Sequence, residues 1–326
     1  MFSNELKVAI EAVREAAVLS KSVQGTISAS ATEKADRSPV TVADIGGQAL
    51  VCSTIRSHFD SDPIIAEEGS SVLKGDENRI LAERVVRHVG QLRPGASHSD
   101  VVEWIDHGGH KEYADRYWTL DPIDGTKGFL RGDQYAIALA LVIDGSVTVS
   151  AVACPNLTLS PDGQVLTGVV MTAVRGQGVL IHPLDDAGDP VPAHVSPISQ
   201  ADRIRFCESV ESAHTSHSTA GRIASIMGIQ AEPRRLDSQA KYNVVAAGEA
   251  EVYMRLPSDR HYVENIWDHA AGSLLVEEAG GRVSDVHGKP LNFGLGYQLE
   301  ENRGVIATNG LVHDDLLSAI AEVGVK

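Results

Sequence analysis

Arg116-Tyr117-Trp118-Thr119-Leu120-Asp121-Pro122-Ile123-Asp124-Gly125-Thr126 is the stretch from which the rest of the chain can be ordered. Residues 116–120, with their aromatic and β-branched side chains, predict a strand that delivers Asp121. Pro122 removes a backbone donor and biases Asp121 toward extended geometry, so both carboxylates can leave the strand end and converge. Two carboxylates this close call for a cation. Mg²⁺, usually held by few carboxylates plus waters and phosphate, suits the pair. Taken alone, the stretch also reads as an ordinary acidic turn. Gly125-Thr126-Lys127-Gly128 tips the balance: glycines allow close backbone approach, a helix start offers free N–H groups to a phosphate, and Thr126 offers a hydroxyl.

Upstream, Leu6, Ile10, Val13 and Ala17 recur at helical spacing and predict a helix over 4–22. Val42, Ile45, Ala49, Cys52, Ile55 and Phe59 predict a second from Thr41. Ile64-Ile65-Ala66 reads as a short buried strand ending at Glu67 and Glu68. Residues 70–115 are polar, with one helical stretch near 78–89, and read as an insertion. Downstream, 135–143 and 147–154 predict a hairpin across Asp144-Gly145 that closes the first lobe. Strands over 168–174, 179–182, 251–256 and 304–307 then alternate with helices after Ser216 and over 238–247, 266–279 and 311–321. Turn-forming Cys154-Pro155-Asn156 and Ser160-Pro161-Asp162-Gly163 place a boundary between lobes of residues 1–157 (α+β) and 158–326 (α/β).

A length of 326 residues fits two packed lobes, and 43% hydrophobic with 22% charged residues is ordinary globular composition. The formal charge of -16 repels nucleic-acid polymers and anionic membranes, although bound cations can reverse the field locally for a small phosphorylated substrate. Cys52, Cys154 and Cys207 lie far apart and are odd in number, so no closed disulfide framework is expected and a reducing cytoplasm fits. The first residues lack a basic and then apolar leader, so neither export nor membrane insertion is expected.

Other acids are candidates with plainer rivals. Adjacent Glu67 and Glu68 point to opposite faces of a strand, so only one easily faces the Asp121/Asp124 pair. Asp268, in Glu264-Asn265-Ile266-Trp267-Asp268-His269-Ala270-Ala271-Gly272, is a ligand candidate or a first-turn acid complementing a helix dipole. Asp44, three residues after Thr41, resembles the acid of a capping box, or acts with Thr126 as the carboxylate and hydroxyl that activate water.

Ala66-Glu67-Glu68, residues 118–126 and the run from Trp267 to Gly272 together resemble the inositol monophosphatase superfamily of lithium-sensitive, magnesium-dependent phosphatases. Within it, Ser38-Pro39-Val40-Thr41-Val42-Ala43-Asp44, Gly125-Thr126-Lys127-Gly128-Phe129-Leu130-Arg131, Cys154-Pro155-Asn156-Leu157 and Asp237-Ser238-Gln239-Ala240-Lys241-Tyr242 resemble the branch that acts on nucleoside 3',5'-bisphosphates. The resemblance implies a layered α-β-α-β-α sandwich of two lobes with the metal site between them. It implies two or three Mg²⁺ ions on Glu67, Asp121, the Ile123 carbonyl, Asp124 and Asp268, with Asp44 and Thr126 activating water. It implies a nucleotide held by Thr126, His214, Ser238, Lys241, Arg255 and Asp268. Hydrolysis of the 3'-phosphate of adenosine 3',5'-bisphosphate by a cytoplasmic monomer, with the sulfated analogue as a second substrate, is the expected activity. Inositol mono- or bisphosphate hydrolysis, and a nucleotide sensor without turnover, stay open beside it. The chain departs from the pattern at Ala66, where Gly is usual, at Ile45-Gly46, where Tyr is often found, and at His214-Thr215-Ser216-His217, where His217 competes with His214.

Overall fold

Two helices, α1 (Ser3–Gln24) and α2 (Ser38–His58), make the outermost layer of the computed structural model, which describes residues 2–27, 38–210, 217–257 and 262–325. Small residues on α1, among them Ala9, Ala12, Ala16 and Ala17, are buried and let α2 approach. At Gly46 an added Cβ would lie 3.0 Å from Leu19 Cδ1, which gives the Ile45-Gly46 departure a packing reason. The chain continues through β1 (Ile64–Ala66), α3 (Arg79–Leu92), α4 (His98–His107), β2 (Arg116–Asp124), the short α5 (Thr126–Arg131), β3 (Ala136–Ile143), β4 (Ser146–Leu159), β5 (Leu166–Val174), β6 (Val179–Pro183) and β7 (Val191–Ala193). These strands stand side by side in chain order, β1 parallel to β2 and the others antiparallel.

The second half adds β8 (Phe206–Glu208), α6 (His217–Ile226), β9 (Arg234–Arg235), α7 (Ala240–Ala246), β10 (Val252–Arg255), α8 (Ala270–Glu278), β11 (Arg282–Ser284), β12 (Val305–Thr308) and α9 (His313–Val323). Its sheet runs β11-β12-β10-β8-β9. Strand β3 shows how the layers form. Ile137, Leu139 and Leu141 join the core under α1 and α2, while Ala136, Ala138, Ala140 and Val142 face the opposite core with α7 and α8. A strand buried on both faces is apolar throughout, and its small alanines let the middle helices lie close. A third core packs Ala220 and Ile223 of α6 and Leu316 and Ile320 of α9 on the far face of the second sheet. The result is the expected α-β-α-β-α sandwich. Among the described residues no helix is long and apolar enough to cross a membrane.

Several expectations need correction. The limit at residues 157 and 158 falls inside β4, whose partner β5 lies beyond it, because the turn at Pro161–Gly163 reverses the chain within one sheet. Strands expected to open an α/β lobe, β5 and β6, thus complete the first sheet, and we place the lobe limit after Ala193. The polar 70–115 stretch holds a second helix, α4, whose Ser97 accepts from Asp100 N and whose Asp100 accepts from Ser97 N, with Val101 and Ile105 buried. The helix expected over 266–279 is divided: a 3₁₀ turn, Ile266–Asp268, precedes α8.

Candidate active site

The β2 end is irregular in a way that suits two convergent acids. Asp121 pairs with Ala138 and Asp124 with Ala136, so three residues of β2 pass two of β3 and a bulge takes up Pro122 and Ile123. In a regular strand, residues three apart face opposite sides; the extra residue returns Asp124 to the side of Asp121. Gly125 then turns with φ 89°, and a Cβ there would meet Ser238 Cβ at 2.9 Å. That close approach brings the second lobe onto the start of α5 at Thr126.

Parallel pairing of β1 with β2 sets Ala66 beside Leu120, and Glu67 N donates to Leu120 O, which carries Glu67 to Asp121. Gln48 on α2 reads the backbone of Glu68 from both sides: its Nε2 donates to Glu68 O at 2.7 Å, and its Oε1 accepts from Glu68 N at 3.0 Å. Asp44 lies one turn before Gln48 and is 7% exposed. Because α2 starts at Ser38, Asp44 is inside the helix and the capping-box alternative is excluded.

One cleft of about 570 Å³ gathers Glu67, Asp121, Ile123, Asp124, Thr126, Ser238, Lys241, Arg255 and Asp268. Asp44 is buried and not among its lining residues, and burial, then Glu68 and Glu67, holds its carboxyl well above the usual range. His214 lies outside the described residues. Acids and cations share this cleft. Lys241, 4% exposed, donates to Leu236 O at 3.3 Å and sits over the Tyr253 ring. Arg255 pairs through Nε with Glu264 Oε2 at 2.8 Å, donates to the Tyr262 hydroxyl at 3.2 Å and lies 3.8 Å from Asp268 Oδ2. Glu264 is backed by His269 Nε2 at 3.1 Å, whose Nδ1 lies 2.8 Å from the Tyr242 hydroxyl. Ser238 Oγ accepts from Ala240 N, so its cap-like role is real and coexists with a place in the cleft.

The residues present fit a cation. Asp121, Asp124 and Asp268 each offer a carboxylate oxygen within 4.8 Å of the others, and Asp121 Oδ1 is buried with no protein partner. Burial, then Glu67, Asp124, Asp268 and Asp44, holds the Asp121 carboxyl well above the usual range. Burial and Asp268 push Asp124 up to about 6 against the opposing pull of Lys241 and Arg255. Partial desolvation in the cleft, Asp268 and Glu68 push Glu67, whose side chain stays exposed to solvent, up to about 8. Such mutual repulsion is relieved by protons or by a metal. Glu264, Asp268 and His269 also group closely, but Arg255 and His269 both engage Glu264 Oε2, so that trio is closed by the arginine.

The Inositol monophosphatase family pattern matches residues 2–324. The chain belongs to the inositol monophosphatase family. It is 41% identical over 345 residues to a 3'(2'),5'-bisphosphate nucleotidase of Schizosaccharomyces pombe, covering 100% of this chain and 97% of that protein. It is 40% identical over 341 residues to a 3'(2'),5'-bisphosphate nucleotidase of Oryza sativa, covering 98% and 94%. The inositol monophosphatase fold is seen directly in the IMPase of Thermotoga maritima, which superposes with a TM-score of 0.65 at 22% identity over 98% of each chain. The resemblance read from the motifs is thus borne out. Sequence reasoning missed Gln48, Tyr262, Glu264 and Gln239; the signal available for Gln48 was its helical spacing from Asp44, Gln239 meets partners distant in sequence, and Tyr262 and Glu264 meet Arg255 and His269 nearby in the chain but in no regular pattern.

The raised carboxylate pKa values carry a pH prediction. A carboxyl whose folded pKa lies above its unfolded value contributes stability that is complete below the unfolded pKa and lost as pH rises through the folded one. The window runs from the ordinary carboxylate range to about 8, the upper limit set by Glu67. The metal-free protein should therefore lose stability from mildly acid to mildly alkaline pH, and a divalent cation should restore it. Scanning calorimetry at pH 5.5 and pH 8, in EDTA and in Mg²⁺, is expected to show a Mg²⁺-induced rise in Tm at least about twice as large at the higher pH. Equal rises at both would remove the carboxylates as the binding groups.

Proposed function

We propose that the chain hydrolyses the 3'-phosphate of adenosine 3',5'-bisphosphate to AMP and phosphate, with two or three Mg²⁺ ions on Glu67, Asp121, the Ile123 carbonyl, Asp124 and Asp268. The observation that carries this reading is one cleft in which the acids Glu67, Asp121, Asp124 and Asp268 stand beside the cations Lys241 and Arg255. A substrate with a phosphate to lose at the acids and a second to be held by the cations matches both sets, whereas an inositol monophosphate brings Lys241 and Arg255 no second phosphate. The names of the relatives, aligned over nearly the whole chain, support it further.

Bound Mg²⁺ supplies a lowered pKa for the attacking water and neutralises phosphoryl charge. Asp44 accepts the proton from that water and the Thr126 hydroxyl orients it. Oxygen attacks phosphorus opposite the ribose 3'-oxygen, the bond to that oxygen breaks, and the leaving alkoxide takes a proton from solvent. Lys241 and Arg255 hold the retained 5'-phosphate, Ser238 adds a hydroxyl, and His214 is assigned to the nucleoside. Sulfated substrate, lithium inhibition, a role in sulfur metabolism and a cytoplasmic monomer belong to the same proposal; the buried free thiols of Cys52, Cys154 and Cys207 support a reducing compartment.

A substrate panel in Mg²⁺, with and without Li⁺, tests it. Adenosine 3',5'-bisphosphate should be preferred over inositol 1-phosphate by about 100-fold or more in kcat/KM. Faster release from inositol 1-phosphate would replace the substrate assignment, and nucleotide binding by calorimetry with no phosphate released would make the protein a sensor.

A further inference from the structure

We propose that Gln239 is the positioning residue that locks the Asp124 and Asp268 carboxylates into one site and ties them to the nucleotide-facing turn. The inference rests on the group of Asp121, Asp124 and Asp268 being a cation site. Gln239 is 2% exposed and touches both sides of the lobe junction. Its backbone N–H donates to Asp124 Oδ2 at 2.5 Å, and Asp124 lines the cleft. Its side-chain Nε2 donates to Trp267 O at 2.8 Å, and its Oε1 accepts from Gly272 N at 3.0 Å. The amide orientation follows from these partners, since a carbonyl only accepts and a backbone N–H only donates.

Each bond has a structural consequence. Trp267 immediately precedes Asp268, so the first side-chain bond fixes the turn that presents this acid. Gly272 N is one of the unpaired amides of the first turn of α8, which His269 does not cap through its side chain, so the second bond caps that helix from another segment. The Gly272 position tolerates nothing larger: an added Cβ would lie 2.3 Å from the Tyr242 ring.

The backbone before Gln239 shows why the side chain must hold. Ser238 has φ 67°, a left-handed conformation that an L residue keeps only when its surroundings impose it. That turn is what aims Gln239 N–H at Asp124. Arg131 of α5 pairs with Asp237 on one side, and the Gln239 amide anchors the other. Asp268 repels Asp124, so without this clasp the two acids relax apart and the turn carrying Ser238 and Lys241 loses its register against them.

The test uses the full-length protein and Mn²⁺ as the probe, with binding followed by electron paramagnetic resonance in the absence of substrate. Gln239→Met keeps the shape and removes both side-chain bonds; Gln239→Glu keeps the acceptor for Gly272 N and loses the donor to Trp267 O. Mn²⁺ affinity should weaken by about tenfold or more in Gln239→Met and by less in Gln239→Glu, with a kcat loss that persists at saturating Mg²⁺. A folded Gln239→Met protein whose Mn²⁺ affinity stays within about threefold of the unmodified chain would overturn the proposal, whatever its Tm. If Gln239→Met does not fold, Gln239→Glu is judged by the same limit. If neither folds, Gln239 is a structural residue and the proposal falls. An unmodified chain that binds Mn²⁺ but releases no phosphate from the nucleotide would refute the proposed substrate and leave this inference standing.

Discussion

Asp121→Asn is expected to cut Mg²⁺-dependent phosphate release by about 10³-fold or more while making the metal-free protein more stable. The two effects have one cause. Asp121 is 2% exposed, its Oδ1 has no protein partner, and Glu67, Asp124, Asp268 and Asp44 all raise the cost of its charge. Asparagine keeps the shape and removes the charge. A cation then loses its most enclosed ligand, and the developing phosphoryl charge loses its counterweight. Without a cation, the folded state no longer ionises a buried acid beside four others. At pH 8 the gain should be at least about 1 kcal/mol, the equivalent of less than one pKa unit. Initial rates in Mg²⁺ and Tm in EDTA, on one preparation, decide the matter. Retention of more than about a tenth of the rate would remove Asp121 from the metal site. Loss of rate with a lower Tm would point to damage to β2 instead.

Why Asp121 was visible from the sequence and Gln239 was not has a physical answer. A pair of acids around Pro122, followed by Gly125, has few uses other than a turn or a cation, so residue type alone narrows the choice. The β2 bulge that makes the pair converge cannot be read from the same letters, because it depends on where β3 stops pairing. Gln239 has no charge to mark it, and its partners Asp124 and Trp267 are remote in the chain. The layers were legible where periodicity was strong, as in α1 and α2. The lobe limit was not, because Ser160 to Gly163 signals a turn without saying whether the chain leaves its sheet there. Helix α4 was hidden for a third reason: Val101 and Ile105 are the residues it buries, too few for a hydrophobic period, although its Ser97 and Asp100 cap was present in the sequence.

Arg255 yields the second large effect. Arg255→Met is expected to raise KM for adenosine 3',5'-bisphosphate by about 10²- to 10³-fold and to leave kcat within about threefold. The guanidinium reaches the cleft from the end of β10, with Glu264 on its Nε, the Tyr262 hydroxyl on one terminal nitrogen and Asp268 close to the same nitrogen. These contacts hold its plane, and a planar fork held in advance binds phosphate with little ordering left to do. Methionine fills the space but leaves the buried Glu264 with His269 as its remaining partner from this set. A stability loss of roughly 1–3 kcal/mol should therefore accompany the kinetic effect. Arg255→Lys restores the charge without the fork, so its KM should fall between the two. Adenosine 3'-monophosphate, which lacks the retained phosphate, separates recognition from general damage. Its KM should change by less than about threefold in Arg255→Met, so the preference for the bisphosphate collapses. Equal losses on both substrates would mean that Arg255 serves the carboxylates through Asp268, and that the second phosphate is held by other groups.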